Sequence, residues 1–302
     1  MDIREQPSLT HNDVIGLNFI RSPGIYRYRR HYRMGLRSHI MEVLRPEDLK
    51  KEVEGIDQEG IMWYPRARPV RMLRIFRTRF SSLQEAQKEI QRVKLIQRYL
   101  SPDFVAHSEE FLVDYKTNST YETVLCGLQT YVEGEILDPW APMDQFMIED
   151  LFRRMSPLNA SQTKQSLAPL LQKAREQLIN FVAKIKQMII EAHHIPDLAG
   201  VGNLLLTPEP KIVLVDINNI STVSFDGEIP LDDRGYPVCD KSIEALFLLE
   251  QKATTHPVKI EGSLYEIFLN PHRMRKVRAF ERRFHLAGLG GPGYPIGTQG
   301  QT

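Results

Sequence analysis

Two short apolar runs, Leu204-Leu205-Leu206 and Lys211 to Val215, flank the turn Thr207-Pro208-Glu209-Pro210, and this arrangement constrains the chain more than any other segment. Short apolar and β-branched runs on either side of a proline-containing turn predict a β-hairpin. Upstream, Leu170, Leu171, Leu178, Phe181, Val182, Ile185, Met188 and Ile189 recur at helical spacing across Leu167 to Ala192, which predicts a long helix with one buried stripe. That helix runs through His193-His194-Ile195-Pro196 towards the hairpin, and three polar residues stand at the corners of the frame: Asp197, Asn203 and Asp216.

Taken singly, each has a plain structural reading. Asp197 before a Gly-rich turn is a turn former, and Asn203 is a cap at the start of a strand. The joint pattern says more. Asn203 and Asp216 fall at neighbouring ends of paired strands, where small oxygen-bearing side chains suit a hard divalent cation that keeps several waters. Earlier in the chain, Val70 to Phe76 reads as a strand, and Ser82-Leu83-Gln84-Glu85 matches a capping box. The helix it opens has Leu83, Ala86, Ile90 and Val93 on one stripe, with Glu89 beside it. Tyr121 to Leu137 is a mostly apolar strand that leads into Tyr131-Val132-Glu133-Gly134.

The segment from His193 to Ile220 resembles the catalytic loop and metal-binding segment of the protein-kinase-like phosphotransferases, as a divergent member of bacterial, atypical type or a pseudokinase. The resemblance implies an α+β, two-lobed protein-kinase-like fold. It places a small β-rich N-lobe over residues 1–129 and a hinge with a larger, mainly helical C-lobe over 130–287. It also implies ATP and Mg²⁺ as cofactors, with Asp216 as principal metal ligand, Asn203 as second ligand and Asp197 as the group that positions the attacking hydroxyl. Thr130, Tyr131 and Val132 would offer backbone groups to the adenine ring. Arg74 stands where the family's strand lysine would be, paired with Glu89, or with Glu85 as runner-up, to orient the phosphates. Residues 1–60 would supply the first strands of the N-lobe or an extension packed on it.

Several positions depart from the family's pattern. Asp197 and Asn203 are six positions apart instead of five, and Gly200 and Gly202 ease the longer loop. Pro196 replaces the arginine before the aspartate, Asn218 replaces the glycine two residues after the metal aspartate, and no G-x-G-x-x-G precedes Val70. A guanidinium at position 74 is a planar fork where the family uses a compact ammonium. Two function classes therefore stand: an ATP- and magnesium-dependent phosphotransferase acting on an unknown protein or small-molecule acceptor, and a pseudokinase that binds without turnover.

Composition bounds these readings. With 302 residues, 42% hydrophobic and 25% charged, the chain reads as a soluble globular protein. It has no apolar run near the ~18 residues a membrane span requires, and no secretory signal is legible. Cys126 and Cys239 make no metal spacing, which predicts free thiols in a reducing cytosol. Residues 1–100 hold 20 Lys/Arg against 12 Asp/Glu, whereas residues 101–260 hold 13 against 23. Arg21 to Arg37, interleaved with Tyr26, Tyr28 and Tyr32, raises a third expectation, nucleic-acid binding, though a solvated basic face is the commoner meaning of such a run. The second run, Arg66 to Arg79, reads as partly lining a cleft. Ser221 to Asp240 reads as a loop, Ile243 to Leu249 as a helix capped by Asp240 or Ser242, Arg273 to Arg283 as a basic helix, and residues 288–302 as a disordered tail.

Overall fold

The structure, a computed structural model, describes residues 2–32, 37–117, 120–142, 145–155, 168–254 and 256–287. The tail, Leu167 and Arg33 lie outside these residues. The chain divides into two compact units, residues 1–92 with 106–131, and residues 93–105 with 132–302. The division falls after Tyr131. Residues 93–105, which the sequence groups with the first 129, belong instead to the second unit. The reason is packing: Val93, Ile96, Leu100, Phe104 and Val105 are buried in that unit's core.

The first unit contains α1 (His11–Ile15), β1 (Arg27–Arg30), β2 (Ser38–Leu44), α2 (Pro46–Glu54), β3 (Ile56–Gln58), β4 (Ile61–Trp63) and β5 (Arg71–Phe76). The opening turns of α3 (Leu83–Leu100) follow, then β6 (Ser108–Thr117) and β7 (Thr120–Thr130). Five strands form an antiparallel sheet in the order β1-β2-β5-β7-β6, and β3 pairs with β4 as a separate hairpin. Strand alternation sends Met41, Leu73, Ile75, Val113, Val124 and Cys126 to one face. Ile3, Leu9, Val14 and Leu17 cover that face, so the N-terminal residues supply both strands and a packed extension.

Arg29 of the first arginine-dense run and Arg66, Arg74 and Arg79 of the second are held by this unit's own acids, as is Arg4 near the N-terminus. Arg4 pairs with Asp2 at 2.6 Å and with Glu122, and Arg79 pairs with Asp2 at 2.9 Å and with Glu122 at 3.3 Å. Arg29 holds Glu42 at 2.7 Å and Glu52 at 2.9 Å, while Arg66 reaches Glu42 at 3.3 Å. Burial alone would raise the Glu42 carboxyl, but His31 and Arg29 beside it hold it below its ordinary range. The expectation that the second run partly lines a cleft is replaced, for Arg66, Arg77 and Arg79, by a clamping role. Arg77 donates to the carbonyl of Gln6 at 3.0 Å, tying the N-terminal segment to the sheet.

The second unit holds the rest of α3, then β8 (Glu135–Ile136), α4 (Gln145–Met155), α5 (Ala168–Ala192), β9 (His194–Pro196), β10 (Leu204–Leu206), β11 (Ile212–Leu214) and β12 (Ile220–Thr222). Three helices close it, α6 (Val238–Ala253), α7 (Leu264–Phe268) and α8 (Pro271–Leu286). In α5 the expected stripe is buried from Leu171 to Ile189, but Leu170 is 36% exposed at the helix start. The hairpin forms with Leu204 opposite Leu214 and Leu206 opposite Ile212, and β8 adds a third strand. Ser221 and Thr222, read from sequence as the start of a loop, instead join Ile220 in pairing with β9. A three-residue strand next to a proline has too little alternation to register as a strand signal. Helix α6 starts at Val238 rather than at a cap of Asp240 or Ser242, because both side chains are buried and bonded elsewhere.

Both cysteines are free and buried, and burial pushes each thiol up to about 12. The thiolate is the reactive form. Alkylation by iodoacetamide at pH 8 should therefore be negligible in the folded chain and label two sites once urea unfolds it; mass spectrometry of native and unfolded samples checks this.

Candidate functional site

The sequence expectations place their residues in both units. In the first unit, Arg74 is central to β5 and 2% exposed. Its register puts it opposite Gly127 of β7, and Gly127 is in turn opposite Glu110 of β6, so the three residues form a row across the sheet. With no side chain at Gly127, the guanidinium lies over the backbone and reaches Glu110 at 2.7 Å. A Cβ at Gly127 would come within 3.0 Å of Arg74 Nη2 and 3.3 Å of Glu110 Oε1. Ser108, two residues along β6 on the same face, accepts from Arg74 Nη2 at 2.7 Å and donates to Glu110 at 2.6 Å.

This corrects the expected pairing. Glu89 does not hold Arg74; its carboxylate pairs with Arg92 at 3.0 Å, one helical turn away. Glu85 completes the N-terminal cap, accepting from Ser81 N at 2.7 Å while Ser82 Oγ accepts from Glu85 N at 3.2 Å. Leu83, expected on the apolar stripe, is 54% exposed, whereas Ala86 is fully buried. The signal for Glu110 was available in the alternation Ser108-x-Glu110, which puts two polar residues on one strand face, but only the sheet register identifies their partner. Thr130 ends β7, where its N–H donates to His107 O at 2.8 Å and its hydroxyl accepts from Arg71. Tyr131 follows as the last residue of this unit, and Val132 opens the next.

In the second unit, α5 ends at Ala192 and His193 takes a left-handed φ of 53°, which turns the chain into β9. Asp197 follows β9, and its N–H donates to Asn219 O at 2.8 Å, continuing the pairing with β12. Asp197 is 3% exposed. Oδ1 accepts from Ala199 N at 2.9 Å and Gly200 N at 3.2 Å, and Oδ2 accepts from Asn219 Nδ2 at 3.2 Å. Asn203 Nδ2 donates to the Asp197 carbonyl at 2.9 Å, and the Asn203 carbonyl accepts from Val215 N at 2.9 Å. Gly200 allows this closeness, since a Cβ there would lie 2.6 Å from Asn203 Nδ2. Asp216, next along from Val215, is half-buried and accepts from Asn218 N at 3.1 Å.

The hairpin thus places Asn203 and Asp216 at adjoining strand ends, and Asn203 links directly to the Asp197 backbone. Among the described residues no three His, Cys, Asp or Glu side chains converge as a metal cluster. A half-buried carboxylate and an amide oxygen, carried on adjoining strand ends, are donor types that suit Mg²⁺, which keeps several waters and binds only one or two carboxylates.

Residues outside the candidate site set hold this loop in place, among them Ser242, expected as a helix cap. Trp140 Nε1 donates to Ala199 O at 2.8 Å, and Ser242 Oγ of α6 accepts from Leu198 N at 3.1 Å. Lys241 Nζ lies 4.2 Å from the Trp140 ring centre and pairs with Glu244 at 2.9 Å and Glu281 at 3.0 Å. The Tyr236 hydroxyl is pushed above its ordinary range by burial and by the carboxylates of Glu281 and Asp197.

No family model matches the chain, and no curated protein matches it. Among solved structures, it is similar to the ROP18 kinase domain in complex with AMP-PNP and sucrose, with a TM-score of 0.37 at 12% identity, over 85% of this chain and 74% of that one. At that overlap the likeness is one of outline. The class defined by the elements themselves is α+β, with a five-stranded antiparallel sheet in one unit and a mainly helical second unit. Among the described residues no helix is long and apolar enough to cross a membrane.

Proposed function

We propose that the chain is a protein-kinase-like module that binds a nucleotide through Mg²⁺ without transferring its phosphoryl group, a pseudokinase of the cytosol. The observation that carries this reading is the state of Asp197. A catalytic base must come within about 2.6–3.2 Å of the hydroxyl oxygen whose proton it takes, or reach it through one water. Asp197 is buried, and both its oxygens already accept from its own loop and from Asn219. Its role is to shape the loop that presents Asn203. Arg74 supports the same reading, because its guanidinium is committed to Glu110 and Ser108. In this scheme Asp216 and Asn203 hold the ion, which would neutralise phosphate charge when bound.

A second reading, an active ATP- and magnesium-dependent phosphotransferase with a protein or small-molecule acceptor, is favoured by one observation: Asn203 donates to the Asp197 carbonyl, and its own carbonyl accepts from Val215 N, the residue before Asp216. Calorimetric titration with ATP, with and without magnesium, combined with a phosphate-release assay, separates the two. Under the first reading ATP binds only with magnesium, Asp216→Ala abolishes that binding, and phosphate release from the wild type is no faster than from Asp197→Asn. Release that falls by about 10³-fold in Asp197→Asn would establish the active reading instead. Absence of ATP binding would remove both.

A further inference from the structure

We propose that Trp140 is a positioning residue for the candidate metal site: it holds the loop from Asp197 to Asn203 in the shape that keeps Asn203 beside the strand end carrying Asp216. The inference deepens the nucleotide-binding reading and rests on it for the effect on ATP, but not for the clamp itself.

Trp140 lies between β8 and α4, far in sequence from the loop it touches. Its Nε1 donates to Ala199 O at 2.8 Å, and an indole N–H is a donor only, so the bond has one possible sense. Ala199 is fully buried, and its own N–H donates to Asp197 Oδ1 at 2.9 Å. From Asp197 the bonds continue to the site. The Asp197 carbonyl accepts from Asn203 Nδ2 at 2.9 Å, and Asn203 O accepts from Val215 N at 2.9 Å, one residue before Asp216. A shift of Ala199 is therefore passed to Asn203 through bonded groups.

Trp140 is in turn fixed from α6. Lys241 Nζ stands 4.2 Å from the ring centre, and Lys241 is only 1% exposed, its charge matched by Glu244 at 2.9 Å and Glu281 at 3.0 Å. Near the other end of α6, Lys252 Nζ donates to Ala141 O at 2.6 Å and to Pro139 O, the carbonyls on either side of Trp140. The Trp140 N–H donates to Asp138 Oδ1 at 2.8 Å. Ring, backbone and both neighbours are thus held, so the indole N–H is aimed in advance of any ligand. Ser242 of the same helix accepts from Leu198 N at 3.1 Å, and α6 thereby grips Leu198 directly and Ala199 through Trp140. Filling space beside the loop would require neither the indole donor nor a buried, paired ammonium on the ring.

The test is Trp140→Phe in the full chain, which keeps a ring beside Lys241 and removes the donor. The N–H groups of Ala199, Gly200 and Asn203 bond within the loop. In hydrogen exchange followed by nuclear magnetic resonance they should exchange about tenfold faster than in the wild type, while amides of α5 and α6 keep their rates. Calorimetry should show magnesium-dependent ATP affinity reduced about tenfold, with a thermal midpoint close to that of the wild type. Lys252→Met, which releases the carbonyls beside Trp140 but keeps the indole, should move both quantities in the same direction and less far, and it decides the matter if Trp140→Phe fails to fold. Loop exchange unchanged in these variants, or equal acceleration throughout α5 and α6, would overturn the proposal, as would unaltered ATP affinity in a protein whose loop has loosened. A wild type that binds no ATP removes the nucleotide reading, whereas faster exchange confined to the loop still establishes Trp140 as its clamp, so the two failures are told apart.

Discussion

Replacing Glu110 with alanine should cost the first unit about 3–5 kcal/mol of stability, because it leaves the guanidinium of Arg74 as an uncompensated charge in the sheet. Both side chains are 3% exposed, and the pair is 2.7 Å long. Ser108 would remain as a neutral partner, too weak to replace a carboxylate. The pair itself is expected to contribute little relative to well-packed apolar groups, since desolvating two charges offsets most of their attraction. Arg74→Met combined with Glu110→Leu should therefore recover most of the loss. Gly127→Ala should cost about 1–3 kcal/mol, since its Cβ would press on the guanidinium at 3.0 Å. Urea unfolding of the four proteins, followed by circular dichroism, measures all of this. A loss below ~1 kcal/mol for Glu110→Ala would mean that Arg74 finds its anion elsewhere.

A loss of similar size, about 3–5 kcal/mol, is expected for Asp240→Ala in the second unit. Asp240 is fully buried in the first turn of α6 and takes two hydrogen bonds from Arg273, at 2.5 Å and 3.1 Å. The pair fastens α8 to α6, and through Glu228 O it also holds the segment before α6. Asp240→Asn keeps the shape and an acceptor but loses the charge, so its cost should be smaller, about 1–3 kcal/mol. Denaturant midpoints of the two variants decide the matter. Equal costs would show that shape, not the ion pair, is what α6 requires at that position.

Much of the second unit was legible beforehand because its elements are long or bounded by strong punctuation. The stripe from Leu171 to Ile189 repeats over many turns, and the prolines at 208 and 210 mark the hairpin turn between runs that could not form a helix across them. The position of Asn203 and Asp216 at adjoining strand ends follows from that hairpin alone. The β9–β12 pairing was not legible, since each strand has three residues and one contains Pro196. Its consequence for Asp197 was hidden as well, because Asn219 is distant in sequence and becomes a neighbour only when Ile220 pairs with Pro196.

Period and punctuation are local properties, so the sequence by itself determined the α5 helix, the hairpin, the cap at Ser82 and Glu85, and the candidate polar residues. Partner choice is a property of register. Only the tertiary structure decided that Arg74 meets Glu110 across a glycine instead of Glu89 on the next helix, and that Asp197 turns its carboxylate onto its own loop. The physical reason is the same in both cases. A buried charge takes the acceptor or donor that the surrounding backbone brings within hydrogen-bond reach, and that backbone is set by packing across segments far apart in the chain.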